Sequence, residues 1–88
     1  MIKYEINNHL AYRKIGEYLY IVDSKTSMLH KLNETAGIVF ECIKKGLNTE
    51  DIIEKITSIY EVEAKEVKAD IEQIINEMLK KNIIKIVK

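Results

Sequence analysis

The pattern of apolar and polar residues changes period once, close to the middle of the chain. Before that point three short runs alternate between apolar and polar residues: AYRKI, YLYIVD and MLHKL, separated by GE and DSKTS. Alternation with period two is typical of half-buried strands, and glycine and small polar residues are typical of tight turns. Three consecutive strands with short connections predict an antiparallel sheet in which the third strand, Met28–Leu32, lies at one edge.

After Asn33 the apolar residues recur at the spacing of an α-helix. Asn33 is suited to cap the first helix, because its side-chain oxygen can accept a hydrogen bond from a free amide of the first turn. That helix is expected to end near Lys45, and a second helix to begin at Asn48 or Thr49. The third helix, roughly Ala64–Lys81, carries the strongest apolar stripe, which is formed by Val67, Ile71, Ile74, Ile75, Met78 and Leu79.

Each end of the chain leaves two interpretations open. Residues 1–10 are expected to form a loose arm or a short strand, and the closing IIKIV to form a short strand or an apolar tail.

The 88 residues predict one domain of the α+β class, with a three-stranded antiparallel sheet followed by three helices. This composition, with a short break at 45–49, is typical of a winged helix-turn-helix.

The balance of charge argues against a nucleic-acid or membrane partner. The chain has 14 basic and 14 acidic residues, so it has no large field to attract phosphate or anionic lipid. In a DNA-binding winged helix, the third helix or its neighbour would enter the DNA groove. Residues 63–81, however, hold four lysines against five acids and no arginine. Arg13 is the one arginine of the chain, whereas readout of guanine favours arginine.

No constellation of residues points to catalysis, a metal or a cofactor. His9 and His30 are far apart on different elements, and the single cysteine, Cys42, is expected to be a small core residue on a helix. The glycines form no phosphate-binding motif. With one cysteine, no secretory signal and no long apolar run, the chain is expected to act in the cytoplasm.

A family resemblance is carried by four segments: YIVDSKTSMLHKLNETAGIVFECI, GLNTEDIIEKI, YEVEAKEVKADI and LKKNIIKI. Together they are similar to PqqD-like proteins, the RiPP recognition elements that bind leader peptides. The most specific parts are LN-x-T-A at the strand–helix junction and V-x-x-D-I in the third helix. One departure is Glu34, where the family often has proline; a glutamate is also favourable in the first turn of a helix.

The resemblance implies a non-catalytic domain to which the leader of a precursor peptide adds as a further strand. The leader would pair with the third strand, and its apolar side chains would enter a groove between that strand and the third helix. An unpaired strand edge independently favours such pairing. The residues expected to contact the peptide are Met28, Leu29, His30, Lys31, Leu32, Lys68, Ile71, Glu72, Ile75 and Leu79.

For the third helix, four apolar residues suffice for the core: Val67, Ile71, Ile74 and Met78. Ile75 and Leu79 would then widen the stripe toward the groove, or would pack under the closing IIKIV segment. Lys68 and Glu72 would flank the groove, and His30 is expected to be half-buried in the sheet.

The implied partners are the precursor peptide and its modifying enzyme, commonly a radical SAM maturase, or a leader peptidase in lasso-peptide pathways. Pyrroloquinoline quinone biosynthesis is one pathway among several. Two alternatives compete with leader binding: a winged-helix DNA-binding regulator, and a small subunit that forms a homodimer through its own edge strand.

Overall fold

The computed structural model describes residues 2–87 and contains two antiparallel sheets and three helices. The elements in chain order are β1 (Lys3–Ile6), β2 (Leu10–Ile15), β3 (Tyr18–Asp23), β4 (Met28–Leu32), α1 (Glu34–Lys44), α2 (Thr49–Tyr60), α3 (Ala64–Lys80) and β5 (Ile84–Val87). The expected three-stranded sheet followed by three helices is confirmed, with strand order β2-β3-β4.

The three-stranded sheet has one buried and one exposed face. Gly16 forms the β2–β3 turn with a φ of 63°, a conformation that glycine adopts without steric cost. In the register of β3 with β4, Leu19 pairs with Leu32 and Ile21 with His30. These four side chains are buried, whereas the intervening residues point to the opposite face.

Side-chain caps begin the first two helices, as the sequence predicts. The Asn33 side chain accepts a hydrogen bond of 2.9 Å from the Ala36 amide. Asn48 and Asp51 form a reciprocal capping box at the start of α2. These caps satisfy amides of the first turn that have no partner within the helix.

The two ends of the chain meet in a second sheet, because β1 pairs with β5 from Lys3 opposite Val87 to Ile6 opposite Ile84. The Asn7 amide extends the pairing with a 3.0 Å hydrogen bond to the Ile83 carbonyl. Of the interpretations that the sequence left open, the strand is therefore the one found at both ends within residues 2–87.

A single core lies between the helices and the two sheets. Its fully buried side chains include Phe40 of α1, Ile52 of α2, Ile71 of α3 and Ile21 of β3. Cys42 belongs to this core, where burial raises the pKa of its thiol. Within residues 2–87, no helix is both long and apolar enough to cross a lipid bilayer.

Candidate functional site

Among residues 2–87, no strand lies beside one side of β4. Its other side pairs with β3, and the order β2-β3-β4 leaves β4 at the edge of the sheet. His30 and Leu32 point into the protein, whereas Met28 and Leu29 are 54% and 62% exposed. Unpaired backbone N–H and C=O groups at such an edge can bind another extended chain.

A cavity of about 140 Å³ lies beside the C-terminal end of this edge. It is bounded by the end of β4, the beginning of α1, one side of α3 and the residue before β5. The lining residues are Lys31, Leu32, Asn33, Ala36, Ile74, Glu77, Met78, Lys81 and Ile83. The cavity therefore combines an aliphatic lining with charged residues of both signs.

A second, more open cavity of about 340 Å³ adjoins the first and shares Asn33, Ile74 and Glu77 with it. Its remaining lining residues are Thr35, Asp70 and Gln73. We call the two cavities together the β4–α3 groove.

The side of α3 that borders the groove differs from the side predicted from the sequence. Ile75 is only 3% exposed and belongs to the core, as does Ile71. Ile74, assigned to the core from the sequence, is partly buried and lines both cavities of the groove. The structure therefore places Ile75 in the core and Ile74 at the edge of the core, where it lines the groove. A peptide contact at Ile75 stays a prediction.

The different surroundings of Ile74 and Ile75 follow from helix geometry. Successive residues are rotated by about 100° around a helix axis. Relative to the buried stripe of α3, this rotation places Ile74, Glu77 and Lys81 on one side. Leu79 and Lys68 lie on the opposite side, where Lys68 lines a cavity of about 470 Å³ with Ile2 and α2.

Glu72 lies on the solvent-exposed back of α3 and lines a surface depression with Gln73 and Lys80. Leu79 is partly buried against the core. None of Lys68, Glu72, Ile75 and Leu79 lines the β4–α3 groove. The cavity that contains Lys68 is the largest of those described, but it is separate from the open strand edge.

A polar network positions the start of β4 at the β3–β4 turn, where the sequence predicted a turn but not the contact of Asp23 with His9. The buried Asp23 carboxylate accepts hydrogen bonds from the Lys25 and Thr26 amides at 2.9 and 3.2 Å. Its second oxygen lies 3.4 Å from Nε2 of His9. The Ser24 hydroxyl donates to the His9 carbonyl at 2.8 Å.

This network lowers the pKa of the Asp23 carboxyl. Burial raises the pKa of the Asp23 carboxyl, but the amides of Lys25 and Thr26 and the nearby His9 lower it, and the lowering effects prevail. The aspartate that opens DSKTS was a signal for such a turn, because its side chain can accept hydrogen bonds from amides two or three residues ahead.

Within residues 2–87, no group of three metal-ligating side chains is placed to hold an ion.

The fold and the site together define a small winged helix-turn-helix domain with an open sheet edge beside a groove. Its family follows from the sequence. A family model described as coenzyme PQQ synthesis protein D (PqqD) matches residues 19–84, three quarters of the chain. The protein therefore belongs to the PqqD family.

Two solved structures have a similar fold. One is described as TbiB1 in complex with the TbiA(beta) leader peptide; its TM-score is 0.86 at 16% identity, covering 92% of this chain and 94% of that one. The other is a lasso peptide synthetase B1 complexed with the leader peptide, with a TM-score of 0.86 at 18% identity and coverage of 94% and 98%. Comparison of the sequence with curated proteins finds no match.

Proposed function

We propose that this protein is a RiPP recognition element, which binds the leader segment of a ribosomally made precursor peptide. The observation that carries this proposal is the open edge of β4 beside the β4–α3 groove in a member of the PqqD family. The two solved structures of similar fold, both complexes with leader peptides, support it.

The mode of binding that we propose is strand addition. The leader's backbone would pair with the open side of β4, from Met28 to Leu32, and this pairing would supply affinity for an extended chain. Alternate leader side chains would point toward the groove, where Ile74 and Met78 offer apolar contacts. Selectivity among leaders would then come from the shape and charge of the groove.

The predicted peptide contacts do not all have equal support. Leu32 and Lys31 line the groove, and Met28 and Leu29 are exposed on the edge strand. His30 is buried beneath that strand at 9% exposure. The predictions for Lys68, Ile71, Glu72, Ile75 and Leu79 stay untested, and their positions outside the groove favour Ile74 and Glu77 in their place.

We further propose that the domain performs no catalysis itself and delivers the bound precursor to a modifying enzyme. A radical SAM maturase and a lasso-pathway leader peptidase are the two partner classes that the resemblance implies. The cytoplasm is the proposed site of action, because the single buried cysteine fits a reducing setting.

Chemical-shift mapping would test strand addition. The probe is the leader of a short precursor encoded beside the gene for this protein. We expect the largest amide shifts at Met28–Leu32 and along the groove side of α3, and slower exchange of alternate β4 amides. Shifts centred on α2, or no binding at peptide concentrations of about 100 μM, would contradict the proposal.

A modified peptide separates strand addition from binding through side chains alone. Methylation of a backbone nitrogen removes a donor without changing the side chain. In a strand, neighbouring amides point to opposite sides. We therefore expect N-methylation at every second leader position to weaken binding by about tenfold or more, with little effect at the intervening positions. An effect without this period of two would exclude pairing along β4.

A further inference from the structure

The face of the β2-β3-β4 sheet turned away from the helices carries several exposed apolar side chains. Ile15, Val22 and Leu29 on this face are 57%, 47% and 62% exposed, and Tyr18 is 40% exposed. Two of the residue pairs are direct neighbours across strands, Ile15 with Tyr18 and Val22 with Leu29. With Arg13 and Lys31, which lie on the same side, we call these six residues the outer sheet face.

The core does not need this face. Leu19 and Ile21 of β3 point to the opposite side, where α1 packs against β3 and β4. Several exposed aliphatic and aromatic side chains on one face of so small a domain are typical of an interaction surface. The outer sheet face therefore has room for a partner that contributes its own apolar side chains.

The charges of the outer sheet face indicate what that partner presents. Arg13 and Lys31 are the charged residues at its strand positions, and no acidic residue stands among them in β2, β3 or β4. The Lys31 ammonium lies 4.0 Å from the centre of the Tyr18 ring, so a cation is held above the apolar surface. Two copies docked through this face would bring like charges together, whereas a surface with carboxylates at its rim would be complementary.

The outer sheet face is continuous with the proposed peptide site, because Leu29 and Lys31 belong to the open edge strand β4. A leader strand added there would extend this same face, since every second one of its side chains would point outward in line with Leu29 and Lys31. A protein resting on the outer sheet face would therefore lie directly beside the bound precursor.

We propose that the outer sheet face docks the enzyme that acts on the bound precursor, through an apolar surface of that enzyme bordered by carboxylates. This inference rests on the proposed leader binding. It assigns contact with the modifying enzyme to a surface separate from the peptide site. The peptide occupies the edge and the groove, and the enzyme occupies the adjoining face. The domain would hold both at once.

The test uses the modifying enzyme and the leader peptide encoded beside the gene for this protein. Three single variants change the outer sheet face within β2 and β3: Ile15→Glu, Val22→Glu and Arg13→Glu. We expect each to weaken binding of the enzyme by about tenfold or more in calorimetry, while the affinity for labelled leader peptide measured by fluorescence anisotropy stays within about twofold. Raising the salt concentration should also weaken enzyme binding by the unmodified protein.

Ile59→Glu is the matched control, because Ile59 is an exposed isoleucine, 48% accessible, on α2. It should bind enzyme and peptide as the unmodified protein does. Enzyme affinity unchanged in all three variants, or lost equally in Ile59→Glu, would overturn the docking proposal.

Two further outcomes would also overturn the docking proposal. One is a dimer in sedimentation that Val22→Glu dissociates, which would show that a second copy covers the outer sheet face. The other is a loss of leader binding in the Val22→Glu and Ile15→Glu variants, which would assign the face to the peptide. If the unmodified protein binds no leader, the proposed function fails, and that result is independent of how the three variants bind the enzyme.

Discussion

Two residues hold the ends of the edge strand in place. Asp23 organises the turn before β4 through two amides and His9, and Asn33 caps the helix that follows β4. The role of Asn33 was predictable, because a cap contacts an amide only three residues ahead. The pairing of Asp23 with His9 was not, because it joins residues from different elements whose proximity depends on the fold.

Replacing Asp23 by alanine is expected to lower the melting temperature. The change removes the acceptor of two backbone amides and leaves them without their partner in the turn. Thermal unfolding followed by circular dichroism would measure it. Glu54→Ala, which removes an exposed carboxylate from α2, is the control and should change the melting temperature little. An equal decrease in both variants would contradict a specific role for the turn.

The same carboxylate predicts a pH dependence. Because the pKa of Asp23 in the folded state lies below its ordinary value of 3.8, ionised Asp23 stabilises the fold at higher pH. That contribution is present above the ordinary pKa and is lost as the pH falls through the lowered one. The difference in melting temperature between the unmodified protein and Asp23→Ala should therefore shrink in acid. A difference that grows below pH 3.8 would contradict this sign.

Asn33→Ala should lower the free energy of unfolding by about 1 kcal/mol, the usual effect of losing a side-chain cap. Asn33→Asp keeps an acceptor at the same place and should retain most of the stability. Urea denaturation of the two variants would measure the difference. Equal destabilisation by aspartate and alanine would show that the hydrogen bond to Ala36 is not what stabilises the junction.

At the scale of elements, three sides of α3 have different surroundings. Its buried stripe, which includes Ile71 and Ile75, packs in the core. One flank, with Ile74 and Glu77, lines the groove, and the other flank, with Lys68, lines the cavity beside α2. The sequence showed the stripe but could not show which flank faces β4. The pattern of an amphipathic helix allows either flank to face β4, because the choice depends on the direction of the neighbouring strand.

Two matched variants of α3 would show which flank contacts the leader. Ile74 and Leu79 are both partly buried aliphatic residues on opposite sides of the core stripe. We expect Ile74→Gln to weaken leader binding by about tenfold, or roughly 1.4 kcal/mol, and Leu79→Gln to leave it nearly unchanged. Anisotropy titrations would measure affinity, with urea denaturation to confirm that both variants fold. The opposite order of affinities would favour the flank predicted from the sequence.

At the scale of the whole molecule, the two ends of the chain complete the fold. The family match covers residues 19–84, whereas β1 lies before this range and β5 runs from Ile84 to Val87. Ile83 and Ile84 are buried beneath the pairing of these strands, at 0% and 2% exposure. The two-stranded sheet thus covers one side of the core that the helices and the larger sheet leave open.

Ile84→Ala is expected to cost about 2–5 kcal/mol of stability, because a large side chain is removed from a packed core. Ile86→Ala is the matched control, since Ile86 lies in the same strand and is 50% exposed. It should cost no more than about 0.5 kcal/mol. Urea denaturation would measure both, and similar losses would mean that β5 stabilises the fold by pairing alone.

The sequence alone determined the local features of this protein. The three strands of the meander, the cap at Asn33 and a cap at Asn48 or Thr49 follow from periodicity and from contacts between near neighbours, whose geometry the backbone already restricts. The position of β4 at a sheet edge follows from the short connections between the three strands.

Only the tertiary structure decided which long-range pairs form. It paired β1 with β5, placed His9 against Asp23, and turned Ile74 rather than Ile75 toward the groove. A strand can pair at more than one edge, and a helix can present either flank of its apolar stripe. The choice between these arrangements depends on packing of the entire core, because only the complete set of contacts offsets the entropy lost when distant segments meet.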